Sequence, residues 1–96
     1  MHEHSGRPAV IDVRTAEEFA AGHVESAVNL DLEDGSLEAA LTGLDPADRY
    51  VVYCRSGRRS AIAVQMMAER GFTDVVDLGT LEDAAATLGA RVVKGL

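Results

Sequence analysis

One cysteine, Cys54, occurs in 96 residues, and that scarcity excludes an internal disulfide framework. No group of Cys and His has the spacing of a zinc site, so no metal is expected. No apolar run approaches the length of a membrane helix, and Met1-His2-Glu3-His4-Ser5-Gly6 lacks an apolar signal core. Basic residues are scarce too. Nine Lys and Arg stand against sixteen Asp and Glu, and a formal charge of −7 argues against sequence-independent nucleic-acid binding. A free thiol fits a reducing cytoplasm better than a secreted setting.

What is present points to a small globular unit. Apolar residues make up 47% of the chain. A chain of this length buries roughly 60–70% of its unfolded surface, enough for one core. Residues 1–8 read as a flexible N-terminal segment, in which His2 and His4 belong to a mobile end rather than a metal site. Residues 9–96 read as one domain. Three of the nine basic residues fall between Arg55 and Arg59, so anion attraction is local in a chain that otherwise repels anions.

Short apolar runs alternate with amphipathic helical segments, the pattern of a parallel sheet covered by helices on both faces. Strands are expected at Ala9–Val13, Ala27–Leu30, Tyr50–Tyr53 and Val75–Leu78, with Arg91–Val93 as a terminal edge strand. Thr15 and Glu18 form a capping box for a first helix that Gly22 stops. Ser36 is expected to cap a second helix, in which Leu37, Ala40, Leu41 and Leu44 make the apolar stripe. A long helix is expected from Ser60 to Gly71, with Met66 and Met67 in the core. Thr80 opens the last helix, which Gly89 ends.

Cys54 sits where a strand ends and a helix is about to begin, within Cys54-Arg55-Ser56-Gly57-Arg58-Arg59-Ser60. Oriented amides, a helix dipole and fixed positive charge all favour its thiolate. Ser56 and Gly57 give the loop the freedom to turn its N–H groups inward as an anion nest. Two chemistries suit such a cup. The thiolate can attack a sulfane sulfur to give a persulfide, or attack phosphorus to give a phosphocysteine. Four residues separate Cys54 from Arg59, one fewer than a thiol phosphatase cradle is expected to have, and the tight loop favours sulfur.

These motifs together resemble the rhodanese family of single-domain sulfurtransferases. The resemblance rests on Ile11-Asp12-Val13-Arg14-Thr15-Ala16-Glu17-Glu18-Phe19, on Gly22-His23-Val24 with Ala27-Val28-Asn29, and on the Cys54 loop. Gly71-Phe72 and Val76-Asp77-Leu78-Gly79 extend it to about residue 88. It implies a three-layer α/β fold with a central, mostly parallel sheet of four to five short strands. It implies that Cys54 accepts and donates sulfur, that the amides of Arg55 to Ser60 hold the bound sulfur or anion, and that Arg55, Arg58 and Arg59 orient the donor. Asp12 and Arg14 are implied as supporting residues, and His23 as structural. No cofactor is implied. The implied partners are a small sulfur anion such as thiosulfate and a protein sulfur donor or acceptor.

The chain departs from the family pattern in three places. Glu25-Ser26 replaces the usual Pro-Gly, and Gly79-Thr80 replaces Gly-Gly in a chain with no tryptophan. Only eight residues precede Ala9, so Arg91–Val93 is expected to cover the sheet edge that a preceding helix would serve. Two other functional readings stay open. One is a sulfur-carrier or interaction module docking a basic partner through Glu33, Asp34, Glu38, Asp45 and Asp48; the other is a thiol phosphatase or arsenate reductase.

Overall fold

Residues 8–95 are described by the computed structural model; the expected flexible N-terminal segment, with His2 and His4, lies outside the described residues except for Pro8. Strand β1 (Ala9–Asp12) lies at the centre, flanked by β3 (Val28–Asn29) and β4 (Arg49–Cys54), with β5 (Asp74–Thr80) outermost. The order is β3-β1-β4-β5 and every pairing is parallel. Successive side chains of a strand point to opposite faces, so each buried strand feeds two cores. Ile11, Tyr50, Val52 and Cys54 pack against Leu37 and Leu41 of α2 (Ser36–Leu41) and Ala63 and Met67 of α3 (Arg58–Glu69). Val10, Val51 and Tyr53 face the other way, against Val24 and Ala84 of α4 (Leu81–Leu88). The α/β fold with helices on both faces of a four-stranded parallel sheet is the one anticipated.

Local signals account for most of the ends. In α1 (Ala16–Ala21) the Thr15 side chain accepts from the Glu18 N–H while Glu18 accepts from the Thr15 N–H, a complete capping box. Gly71, at φ +91, closes α3, with the Phe72 N–H donating to the Met67 carbonyl at 3.1 Å. Thr80 caps α4 by accepting from the Asp83 N–H at 3.0 Å.

Four expectations need correction. Gly35, not Ser36, occupies the N-cap of α2 in a left-handed conformation; Ser36 is the first helical residue, and its N–H donates to Asp34 Oδ1 at 2.8 Å. Helix α3 starts at Arg58 rather than Ser60, because Gly57 takes the cap. The expected strand at Ala27–Leu30 is only two residues long. Finally, Val92–Val93 (β6) does not extend the main sheet. It pairs antiparallel with β2 (His23–Val24) in a separate two-stranded ribbon.

That ribbon explains Glu25-Ser26. The Ala27 N–H donates to the Val24 carbonyl at 2.9 Å, closing a four-residue turn with Ser26 at φ +79. A glycine would hold that conformation with less strain. A proline at position 25 would lack the N–H that Glu25 donates to the Arg91 carbonyl at 2.8 Å. The Glu25 carboxylate also meets Arg91 at 2.9 Å, so the unusual turn residue is one of the links to β6.

Candidate active site

The loop after β4 is built around its sulfur. A bulge after Val52 sets Tyr53 beside Gly79 and Cys54 beside Thr80, bringing the ends of β4 and β5 level. Cys54 is fully buried on the face covered by α3. Gly57 then turns the chain at φ +93, a conformation that an L side chain resists. This turn aims the Gly57 N–H at Cys54 Sγ, at 2.9 Å. Ser60, on the first turn of α3 and also fully buried, lies with Oγ 3.5 Å from the sulfur.

Burial pushes the Cys54 thiol up. The Ser60 hydroxyl and the backbone N–H groups of Ser60, Gly57 and Ser56 outweigh burial and hold it below its ordinary value. Hydrogen-bonding dipoles supply this stabilisation, and Arg59 adds a weaker coulombic attraction to the sulfur. Ser60 Oγ also lies 2.7 Å from Asp77 Oδ1 and 3.1 Å from the Gly57 carbonyl, which fix its position beside the sulfur. Asp77 also accepts from the Gly79 N–H at 2.8 Å. Asp77 was part of a recognised motif, but its link to Ser60 runs through tertiary structure that spacing does not reveal.

The three loop arginines occupy different settings. Arg59 donates both terminal nitrogens to Glu18, Nη1 to Oε1 at 2.8 Å and Nη2 to Oε2 at 3.0 Å. Hydrogen bonding from Arg59 pulls the Glu18 carboxyl down to about 2. Arg55 and Arg58 are exposed and make no ion pair among the described residues. Ser56 is exposed as well.

Asp12 and Arg14 stand at the end of β1. Arg14 Nε donates to Asp12 Oδ1 at 2.9 Å, and Nη2 donates to Asp12 Oδ2 at 2.7 Å and to the Gly22 carbonyl at 2.6 Å. Burial opposes the Arg14 charge, but Asp12 holds the guanidinium above its ordinary value. Its carbon lies 5.6 Å from the centre of the Tyr53 ring, whose hydroxyl accepts from the Val24 N–H at 3.0 Å. His23 is buried, stacked on Phe19 at 3.6 Å with Nδ1 2.8 Å from the Phe19 carbonyl. A histidine so occupied is a packing element.

Beside the loop an open cleft of about 280 Å³ is lined by Arg14, Glu18, Ala21, Arg55, Leu81 and Glu82. Among the described residues no three His, Cys, Asp or Glu side chains are grouped to hold a metal ion, and no helix is long and apolar enough to cross a membrane.

Comparison with known proteins agrees with this geometry. Residues 1–80 match the family model of the rhodanese-like domain. The thiosulfate sulfurtransferase PspE of Escherichia coli is 37% identical over 75 residues, covering 78% of this chain and 72% of that protein. A putative sulfur carrier protein of Bacillus subtilis, YrkF, is 33% identical over 69 residues, spanning 72% of this chain but 36% of its own length. A solved structure described as rhodanese with anions from E. coli superposes with a TM-score of 0.78 at 35% identity, over 93% of this chain and all of that one.

Proposed function

The chain belongs to the rhodanese-like family, and from that premise we propose that it is a sulfurtransferase carrying sulfane sulfur as a persulfide on Cys54. The Cys54 thiolate attacks the outer sulfur of thiosulfate or of a persulfide donor. A new S–S bond forms at Cys54 while the donor's S–S bond breaks, and sulfite or a thiolate departs with the electron pair. A thiophilic acceptor such as cyanide or a thiol then takes the terminal sulfur and returns Cys54 to its thiolate. Neither step needs an external oxidant or reductant.

The observation that carries this reading is the Gly57 N–H at 2.9 Å from Cys54 Sγ, within a turn whose Ser56 and Ser60 amides also favour negative charge on sulfur. Donors aimed at a developing anion stabilise it without reorganising. Arg55 and Arg58, exposed at the rim, draw in the anionic donor, and Asp12 and Arg14 brace the sheet end beneath it. Arg59 is committed to Glu18, which speaks against its closing over a tetrahedral phosphate. Residues 9–96 act as one unit, and a reducing compartment such as the cytoplasm suits the thiol.

Turnover tests the proposal directly. Thiosulfate and cyanide supplied to the protein should yield thiocyanate, and Cys54→Ala should yield none. Equal thiocyanate from both proteins, or none from either, would overturn it.

A further inference from the structure

The cleft beside the loop carries charge of both signs, whereas an anionic donor such as thiosulfate calls only for the positive ones. It opens at the same end of the sheet as the sulfur, since Arg55 directly follows Cys54, and Leu81 follows Thr80, the residue aligned with Cys54 across the strands. Two of its charges are already spent. Both Glu18 carboxylate oxygens are taken by Arg59, and Arg14 gives Nε and Nη2 to Asp12 and Gly22. Arg14 nevertheless lines the cleft at 5% exposure, and its Nη1 makes no hydrogen bond among the described residues. Two lining charges of opposite sign, Arg55 and Glu82, are left without an ion pair among the described residues. Ala21 and Leu81 add apolar surface to the same lining.

We propose that this cleft is the acceptor subsite, and that it selects a small zwitterionic thiol carrying an α-carboxylate and an α-ammonium group. The proposal rests on the persulfide reading of Cys54. The carboxylate meets Arg55 and the free edge of Arg14, the ammonium meets Glu82, and the methylene bearing the thiol lies over Ala21 and Leu81. A planar guanidinium suits a carboxylate better than a point charge does. A doubly negative ion would instead face Glu82. In the transfer the acceptor thiolate attacks the outer sulfur of the Cys54 persulfide, forming its own S–S bond. The Cys54 S–S bond breaks, Cys54 leaves as thiolate, and the product is the persulfide of the small thiol.

Binding is measured first, independently of sulfur chemistry. S-methyl-L-cysteine, which cannot accept sulfur, is titrated into the protein while backbone amide shifts are followed. Saturable shifts centred on Ala21, Leu81 and Glu82, and lost in Arg55→Ala, are expected. Absence of saturation, or shifts indifferent to Arg55→Ala, would overturn the subsite even if thiosulfate turnover is intact. Conversely, failure of thiosulfate turnover leaves this binding readout informative.

Discharge is measured second, on persulfide-loaded protein, with rates expressed per thiolate. Cysteine should outpace both cysteamine, which lacks the carboxylate, and 3-mercaptopropionate, which lacks the ammonium. Arg55→Ala should reduce the cysteine-to-cysteamine ratio about ten-fold, and Glu82→Gln should reduce the cysteine-to-3-mercaptopropionate ratio similarly, as expected for loss of one charged contact. Ratios unchanged in both variants would overturn the proposal.

Discussion

Arg59 and Glu18, 41 residues apart in sequence, are joined by two parallel hydrogen bonds of 2.8 and 3.0 Å. Glu18 is also the capping-box residue of α1, so one carboxylate caps the start of a helix and fastens the first turn of α3 to it. The sulfur-bearing loop is therefore anchored from outside by a pair that is only 19% and 24% exposed.

This pair has a definite pH signature. Glu18 is held down to about 2 from an ordinary value of 4.5. Its stabilisation is thus complete above pH 4.5 and is lost as pH falls toward about 2. Gln at the same position keeps a capping side chain but removes the charge. Glu18→Gln should cost roughly 2 kcal/mol at neutral pH once screening by solvent is taken into account. Denaturant midpoints of the two proteins should converge as the solution is acidified through that window. A gap that stays constant would show that the charge is not responsible.

Cys54 should be alkylated by iodoacetamide with a midpoint below that of an ordinary thiol, since hydrogen bonds outweigh burial there. Ser60→Ala removes the side-chain hydroxyl and leaves the amides, so its rate–pH profile should move toward alkaline pH. Because the chain has a single cysteine, the reagent reports one site. A profile indifferent to Ser60→Ala would place the stabilisation entirely in the backbone.

At the turn after β2, Ser26→Gly should stabilise the fold by about 0.5–1 kcal/mol by relieving a positive φ. Glu25→Pro should not reproduce that gain. It removes the backbone hydrogen bond to the Arg91 carbonyl, a loss on the order of 1 kcal/mol, and breaks the exposed ion pair with Arg91 as well. Equilibrium unfolding of the two single variants separates these effects, and equal stabilisation by both would contradict the link to β6.

Features written within a few residues were legible in the sequence. The Thr15–Glu18 box, the Gly22, Gly71 and Gly89 helix ends, and the position of Cys54 at a strand end all follow from local backbone chemistry. Gly35 and Gly57 were harder, because a left-handed glycine can cap a helix without a side-chain hydrogen bond, and neighbouring serines compete for the role. Features joining distant segments were not legible. The two-residue strand His23–Val24 has no period to read, and although a strand was expected at Arg91–Val93, its antiparallel pairing with His23–Val24 is set by the tertiary fold alone. The links from Glu18 to Arg59 and from Asp77 to Ser60 belong to the same class. They show why three arginines near one sulfur do not share one task.

The most direct test of the central claim is the intact mass of the protein after thiosulfate treatment without reductant. The account predicts the gain of one sulfur atom, removed by cyanide and absent in Cys54→Ala. A wild-type mass that does not change, or a gain that persists in Cys54→Ala, would contradict it.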